Sequence, residues 1–368
     1  MKTLLSSLLF ISFLIVSLLL LAYLSDEDSL HAFERANFYR LDQSSESVPV
    51  QNSFEKKETP DEFELTYGWR DHKGKNHSVN FSLSKQQLAD AEDEFGYYPG
   101  ELRTYLEESV QIMRDEMMSH LTRFTTEQIL ASKYARYISM DNVSLKDFSL
   151  KLSAPPSLSQ EAKVEFARIT DVINQEKEVY LQRIEKEQEK KRKEYLETKG
   201  FRFTGDRMDV NYRLIVLNNR PRIKQVVEAM RRESGKKSLH QFLALMLAFI
   251  QEIRYGIPPL KEEDKIILEF WVPPKVLVSN FGDCDSKGVT LASLWTSFKK
   301  YPFLLIKIPK HLFVGVAIPS VGGGGLVING IRYTLCEVTG PDLIPPGLIT
   351  QYSLLHLQGG NYRYELIK

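Results

Sequence analysis

Three residues in the last third of the chain have the types and the order that acyl transfer through a thiol requires: Cys284, His311 and Glu337. Cys284 stands in Gly282-Asp283-Cys284-Asp285-Ser286-Lys287, ahead of Val289, Leu291, Ala292, Leu294, Trp295 and Phe298. That apolar spacing predicts a helix with Cys284 in its first turn. The positive end of a helix dipole favours thiolate over thiol, and the thiolate is the form that attacks carbonyls. His311 follows after 27 residues and Glu337 after a further 26, room in each case to finish one element and return along another. An imidazole in reach takes the thiol proton, and a carboxylate on the other ring nitrogen fixes its tautomer. A lone cysteine is usually inert filler and a lone histidine a satisfied structural group. The ordered set is what points to chemistry.

The elements that must hold these residues are legible around them. Ile223–Glu233 and Leu239–Arg254 read as helices, and a loop opening at Pro273-Pro274 leads to the Cys284 helix. Phe303–Ile308, Leu312–Ile318 and Ile331–Val338 are rich in β-branched and aromatic residues and read as strands, with Tyr362–Ile367 as a further one. Asn329-Gly330 between two apolar runs is a strong hairpin signal. Helices followed by an antiparallel sheet make an α+β domain. Asp283 and Asp285 offer two hard oxygens that would suit calcium, and capping of the helix by one of them is the competing reading. Cys336, the only other cysteine, reads as a small apolar strand residue.

The stretch from Gly282 to Lys287 with Leu291-Ala292-Ser293-Leu294 resembles the nucleophile helix of transglutaminase-like domains, in a bacterial branch of that superfamily. The resemblance takes in Phe249–Tyr255, His311–Val316 and Tyr333–Glu337, and so roughly the last 160 residues. It implies a papain-like Cys–His–acid triad of Cys284, His311 and Glu337. The family's usual third residue is Asp. Here Glu337 stands in that place, with Asp342 as the alternative acid. Gln251 resembles the papain-like oxyanion glutamine, beside the reading of a polar residue on an exposed helix face.

Upstream, Met208–Val216 reads as a strand. Ser159–Lys199 reads as one long charged helix with a partial apolar stripe and no sustained heptads, so a coiled coil is not secured. Phe63–Trp69 and Ser78–Leu83 flank a turn-rich segment, a hairpin signal, with helical patterns at Lys85–Phe95 and Leu102–Phe124. Leu4–Leu24 is almost wholly apolar, close to the ~20 residues that span a bilayer. Lys2 before it and Asp26-Glu27-Asp28 after it orient the bulk of the chain outward. The expected organisation is an anchor at 1–25, a polar tether at 26–60, an α+β region at 61–155, the helix at 156–200 and a transglutaminase-like domain at 201–368. Lys+Arg and Asp+Glu both number 48, so no basic surface argues for nucleic acid. The expected function is a single-pass, inner-membrane cysteine peptidase or amidase facing the periplasm, acting on a protein or peptide without a cofactor. A transamidase and a non-enzymatic scaffold are the alternatives, and the 159–199 helix is a candidate partner surface.

Overall fold

The computed structural model describes residues 53–142, 149–318, 325–339 and 343–368. The expected anchor, and the tether up to residue 52, lie outside them. Among the described residues no helix is long and apolar enough to cross a membrane. The chain is mixed α and β, and among the described residues the sheets are antiparallel apart from one short parallel pair. It divides into two compact units: the described residues up to Ser84 with Arg220–Gly256 and Val276–Lys368, and Lys85–Asn219 with Ile257–Lys275. This differs from the expected division. The first hairpin belongs with the unit that carries Cys284, and the long helix belongs with the segments on either side of it.

The first unit opens with an antiparallel meander, β1 (Ser53–Glu58), β2 (Glu62–Arg70) and β3 (Asn76–Ser84). β1 falls where a tether was expected, because its backbone pairs along β2 although its side chains are largely exposed. Strict alternation buries Leu65, Tyr67 and Trp69 with Val79, Phe81 and Leu83 on one face. Two helices follow, α1 (Lys224–Ser234) and α2 (Leu239–Glu252), the second started by a Ser238/Gln241 capping box. Phe249 of α2 meets Tyr67 and Trp69 edge-on, at ring distances of 5.0 and 5.3 Å. This aromatic contact ties β2 to α2, and α1 packs on β3, where Gln225 Nε2 donates to Ser82 O at 3.2 Å.

The chain continues through β4 (Arg254–Tyr255), β5 (Phe281–Gly282) parallel to it, and α3 (Cys284–Phe298). Then come β6 (Phe303–Ile308), β7 (His311–Val316), β8 (Leu326–Ile328), β9 (Ile331–Cys336), α4 (Gln351–Gln358) and β10 (Arg363–Ile367). The last five strands form one sheet in the order β8-β9-β7-β6-β10. Both faces are covered: Ile306, Ile308, Phe313 and Leu335 pack with Tyr352 and Leu357, while Leu305, Leu312 and Val314 line the space beside α3. Asn329 and Gly330 both take positive φ, 51° and 77°, as the expected two-residue hairpin requires.

In the second unit the helix Ser159–Thr198 buries Ala162, Ile169, Ile173, Ile184 and Leu196, a spacing that follows no heptad. It packs along Gln111–Leu130, while its outer face carries pairs such as Arg192–Glu189 at 2.7 Å. The single helix expected over Leu102–Phe124 is two, Pro99–Ser109 and Gln111–Leu130, broken at the buried Val110. The strand expected at Met208–Val216 stops at Val210, because the Asn211 side chain accepts from Leu214 N–H at 3.2 Å and opens the helix Tyr212–Asn219. Pro273-Pro274 begins a helix, Pro273–Ser279, and not a loop; proline suits the first helical turn, where its missing N–H costs nothing.

Candidate active site

Cys284 is the first residue of α3, and Asp283 caps it, its Oδ1 accepting from the Ser286 N–H at 2.9 Å. The approach to the cap is fixed by the β4–β5 pair and by Arg254 Nε donating to Asn280 O at 3.2 Å. One turn further on, Gly288 sits against β7: a Cβ there would stand 2.3 Å from Leu312 Cδ2. With no Cβ at Gly288, the Leu312 side chain fills that space and α3 lies close against the start of β7. The backbone of Leu312 hydrogen-bonds the Cys284 sulfur, so His311 is the adjacent residue on the strand.

His311 follows the two-residue turn Pro309-Lys310, in which Lys310 has φ 55°. Its Nε2 lies 2.7 Å from Glu337 Oε2. Glu337 directly follows β9, the neighbour of β7, and is fully buried. Its other oxygen, Oε1, accepts from the Thr350 N–H (3.1 Å), Thr350 Oγ1 (3.0 Å) and Ser353 Oγ (2.5 Å) at the start of α4. One carboxylate therefore joins the imidazole to a helix N-terminus, a favourable place for negative charge. Burial pushes its pKa up, but the bond and charge of His311 and the donors of Ser353 and Thr350 outweigh that and hold the carboxyl below its usual range. Asp342, the alternative acid, lies outside the described residues.

Two expectations do not fit this geometry. Gln251 is buried, and its Nε2 donates to the carbonyls of Glu337 and Ile344, both at 2.9 Å. Both amide hydrogens are used, which leaves none for an oxyanion. The helix-dipole argument also fails for the resting thiol. Burial, then the charges of Asp285 and Asp283, push the Cys284 pKa well above that of a free thiol, and the Leu312 backbone opposes them only in part. Cys284 Sγ donates to Asp285 Oδ1 at 3.5 Å, and Asp285 Oδ2 is 3.4 Å from Lys307 Nζ. Burial and the Asp285 charge push Asp283 up to about 6. The donor atoms of Asp283, Cys284 and Asp285 lie within 4.8 Å of one another. Capping is what Asp283 does here, and a thiol is a soft partner for calcium. Both cysteines are free; Cys336 is fully buried, and burial raises its thiol pKa as well.

Comparison with family models, with curated proteins and with solved structures finds no match to this chain. The site is therefore read from its own geometry.

That geometry includes residues which sequence patterns did not single out. Lys287 is buried, and its Nζ donates to Gln251 O (3.1 Å) and Ile253 O (2.7 Å), the orphan carbonyls at the end of α2. Burial pushes its pKa down to about 7. A lysine one turn after the nucleophile, beside Gly288 in an apolar helix, is a signal that could have been read. Thr350 and Ser353 carry the spacing of a helix cap. His72 had no signal at all; it sits in a hairpin turn and contacts Gln251 from 179 residues away.

Proposed function

We propose that the chain is a cysteine hydrolase of transglutaminase-like type, a peptidase or amidase working through a thioester on Cys284. The observation that carries this reading is the His311–Glu337 pair, 2.7 Å apart, at the strand position next to the one that touches the Cys284 sulfur. Glu337 occupies Nε2 of the imidazole, so Nδ1 is the nitrogen for proton exchange with the thiol. With the thiol protonated at rest, His311 acts as a general base: it takes the Sγ proton as sulfur bonds to the carbonyl carbon. The tetrahedral oxyanion is held by the backbone N–H of Cys284, one of the helix amides without an intrahelical partner. The imidazolium returns its proton to the leaving nitrogen, the C–N bond breaks and a thioester remains. Water, deprotonated by His311, then attacks the thioester, releasing the acid and the thiol. Glu337 keeps the ring oriented and stabilises its charged form throughout.

The apolar run at residues 4–24 supports placing this activity on a membrane-anchored protein facing outward, with a protein or peptide as substrate. A second reading, a tethered scaffold with a silent site, draws on the buried and protonated thiol. Acyl trapping separates the two. Incubation with p-nitrophenyl acetate and acid quench is expected to leave an acetyl group on Cys284, seen by peptide mass spectrometry. It is expected to be absent in Cys284→Ala and strongly reduced in His311→Ala. Equal labelling in the wild type and His311→Ala would favour the scaffold.

A further inference from the structure

We infer that Gln251 and His72 form a positioning relay that holds Glu337 against His311, so that the N-terminal hairpin is a working part of the site. This rests on the triad reading proposed for the chain. Gln251 donates from one nitrogen to the carbonyls of Glu337 and Ile344, and so clamps both ends of the segment that leads from the acid towards α4. With both hydrogens of that nitrogen spent, its Oε1 is an acceptor, and His72 Nε2 at 3.1 Å is therefore the donor. Were the Gln251 amide turned over, its oxygen would face two carbonyl oxygens, so these carbonyls fix its orientation and with it the His72 tautomer. His72 then holds the oxygen end of the amide, and the nitrogen end holds the backbone of Glu337.

His72 is itself held in place. It lies in the β2–β3 turn, where Asp71 Oδ1 accepts from the Lys73 and Lys75 N–H groups at 2.9 and 3.0 Å. Asp71 Oδ2 is 3.0 Å from His77 Nε2. Lys287 adds a second tie at the same turn of α2, since the carbonyl of Gln251 accepts from its ammonium. The last turn of α2 therefore meets the nucleophile helix through Lys287 and the acid through Gln251.

The test uses the full chain and three variants: Gln251→Glu, His72→Ala and His72→Asn. The first replaces the amide donors with acceptors, the second removes the ring donor, and the third retains a donor. Two readouts are taken: the rate of Cys284 alkylation by iodoacetamide against pH, and the downfield ring N–H resonance of His311, assigned by its absence in His311→Ala. The His311-dependent part of the alkylation rate is expected to fall about tenfold or more in Gln251→Glu and His72→Ala, as for other orienting partners, and to be largely kept in His72→Asn. The downfield resonance is expected to broaden or shift in the same two variants while cooperative thermal melting is kept. An unchanged resonance and alkylation profile in His72→Ala would overturn the relay. If the wild type shows no His311-dependent alkylation, the catalytic reading fails instead, and the resonance alone decides whether His72 and Gln251 position Glu337.

Discussion

At the scale of single residues, burial and charge decide more than motif. Asp283 illustrates this. It caps α3, yet its charge also helps to keep the Cys284 proton in place. Asp283→Asn retains a capping oxygen and removes the charge. It is expected to raise the rate of Cys284 alkylation at neutral pH with little change in melting temperature. Lys287 makes a thermodynamic prediction. Its pKa is near 7 in the folded chain and ~10.4 in an unfolded one, so between these values the unfolded state binds more protons and stability rises with pH. Urea unfolding is expected to show a gain of roughly 3 kcal/mol from neutral pH to about pH 10, lost in Lys287→Met. Glu337 titrates in the same sense but in the acid range, since its folded pKa is also lowered. Its lowered pKa gives a contribution that is complete above the unfolded value of ~4.3 and is lost as pH falls through the folded one. Glu337→Gln is expected to flatten the acid limb of the stability curve and to reduce acyl trapping on Cys284. The thiol's protonation was not legible in the sequence. A helix start was visible, but the depth of burial that reverses its effect belongs to the tertiary structure.

At the scale of elements, the strands and helices around the site were legible because each carries its own period and its own stop signals. Phe303–Ile308 and the Asn329-Gly330 hairpin stand where the patterns put them. What the patterns could not supply was how closely elements approach. Gly288 reads as a helix defect until Leu312 is seen 2.3 Å from its absent Cβ. Gly288→Val is expected to push α3 off β7, to destabilise by about 1–3 kcal/mol as overpacking does, and to slow Cys284 alkylation. Leu312→Ala in the same chain is expected to restore part of the stability. Recovery of both properties would show that the approach, and not the glycine itself, matters. The Pro273-Pro274 error has a similar origin: proline marks either a loop or a first helical turn, and the residues on its C-terminal side decide between them.

At the scale of the whole molecule, the expected division at residue 201 separated partners that fold together. Tyr67 and Trp69 pack on Phe249, and His72 bonds Gln251. Contacts between such distant positions leave no local mark, which is why the hairpin was legible and its place was not. A chain beginning at residue 201 is expected to lack cooperative unfolding, as judged by circular dichroism. The long helix was read correctly in extent, and its partial apolar stripe is the buried face: Ile169 and Ile173 share a core with Ile129, Tyr134 and Ile138, and Ile184 shares one with Val110, Met117 and Leu121. A charged outer face and a packed inner face occur on the same helix, and the charge run revealed only the first.

The most direct test of the central claim is the pH dependence of Cys284 alkylation by iodoacetamide, followed by peptide mapping, in the wild type and in His311→Ala. The account predicts two components in the wild type. One is a neutral-pH plateau, in which the imidazole takes the thiol proton. The other is a steeper rise at alkaline pH, from a thiol whose own pKa is raised. Only the alkaline rise is expected to remain in His311→Ala. A single rise at the pKa of an ordinary thiol, ~8.5, identical in both proteins, would contradict it.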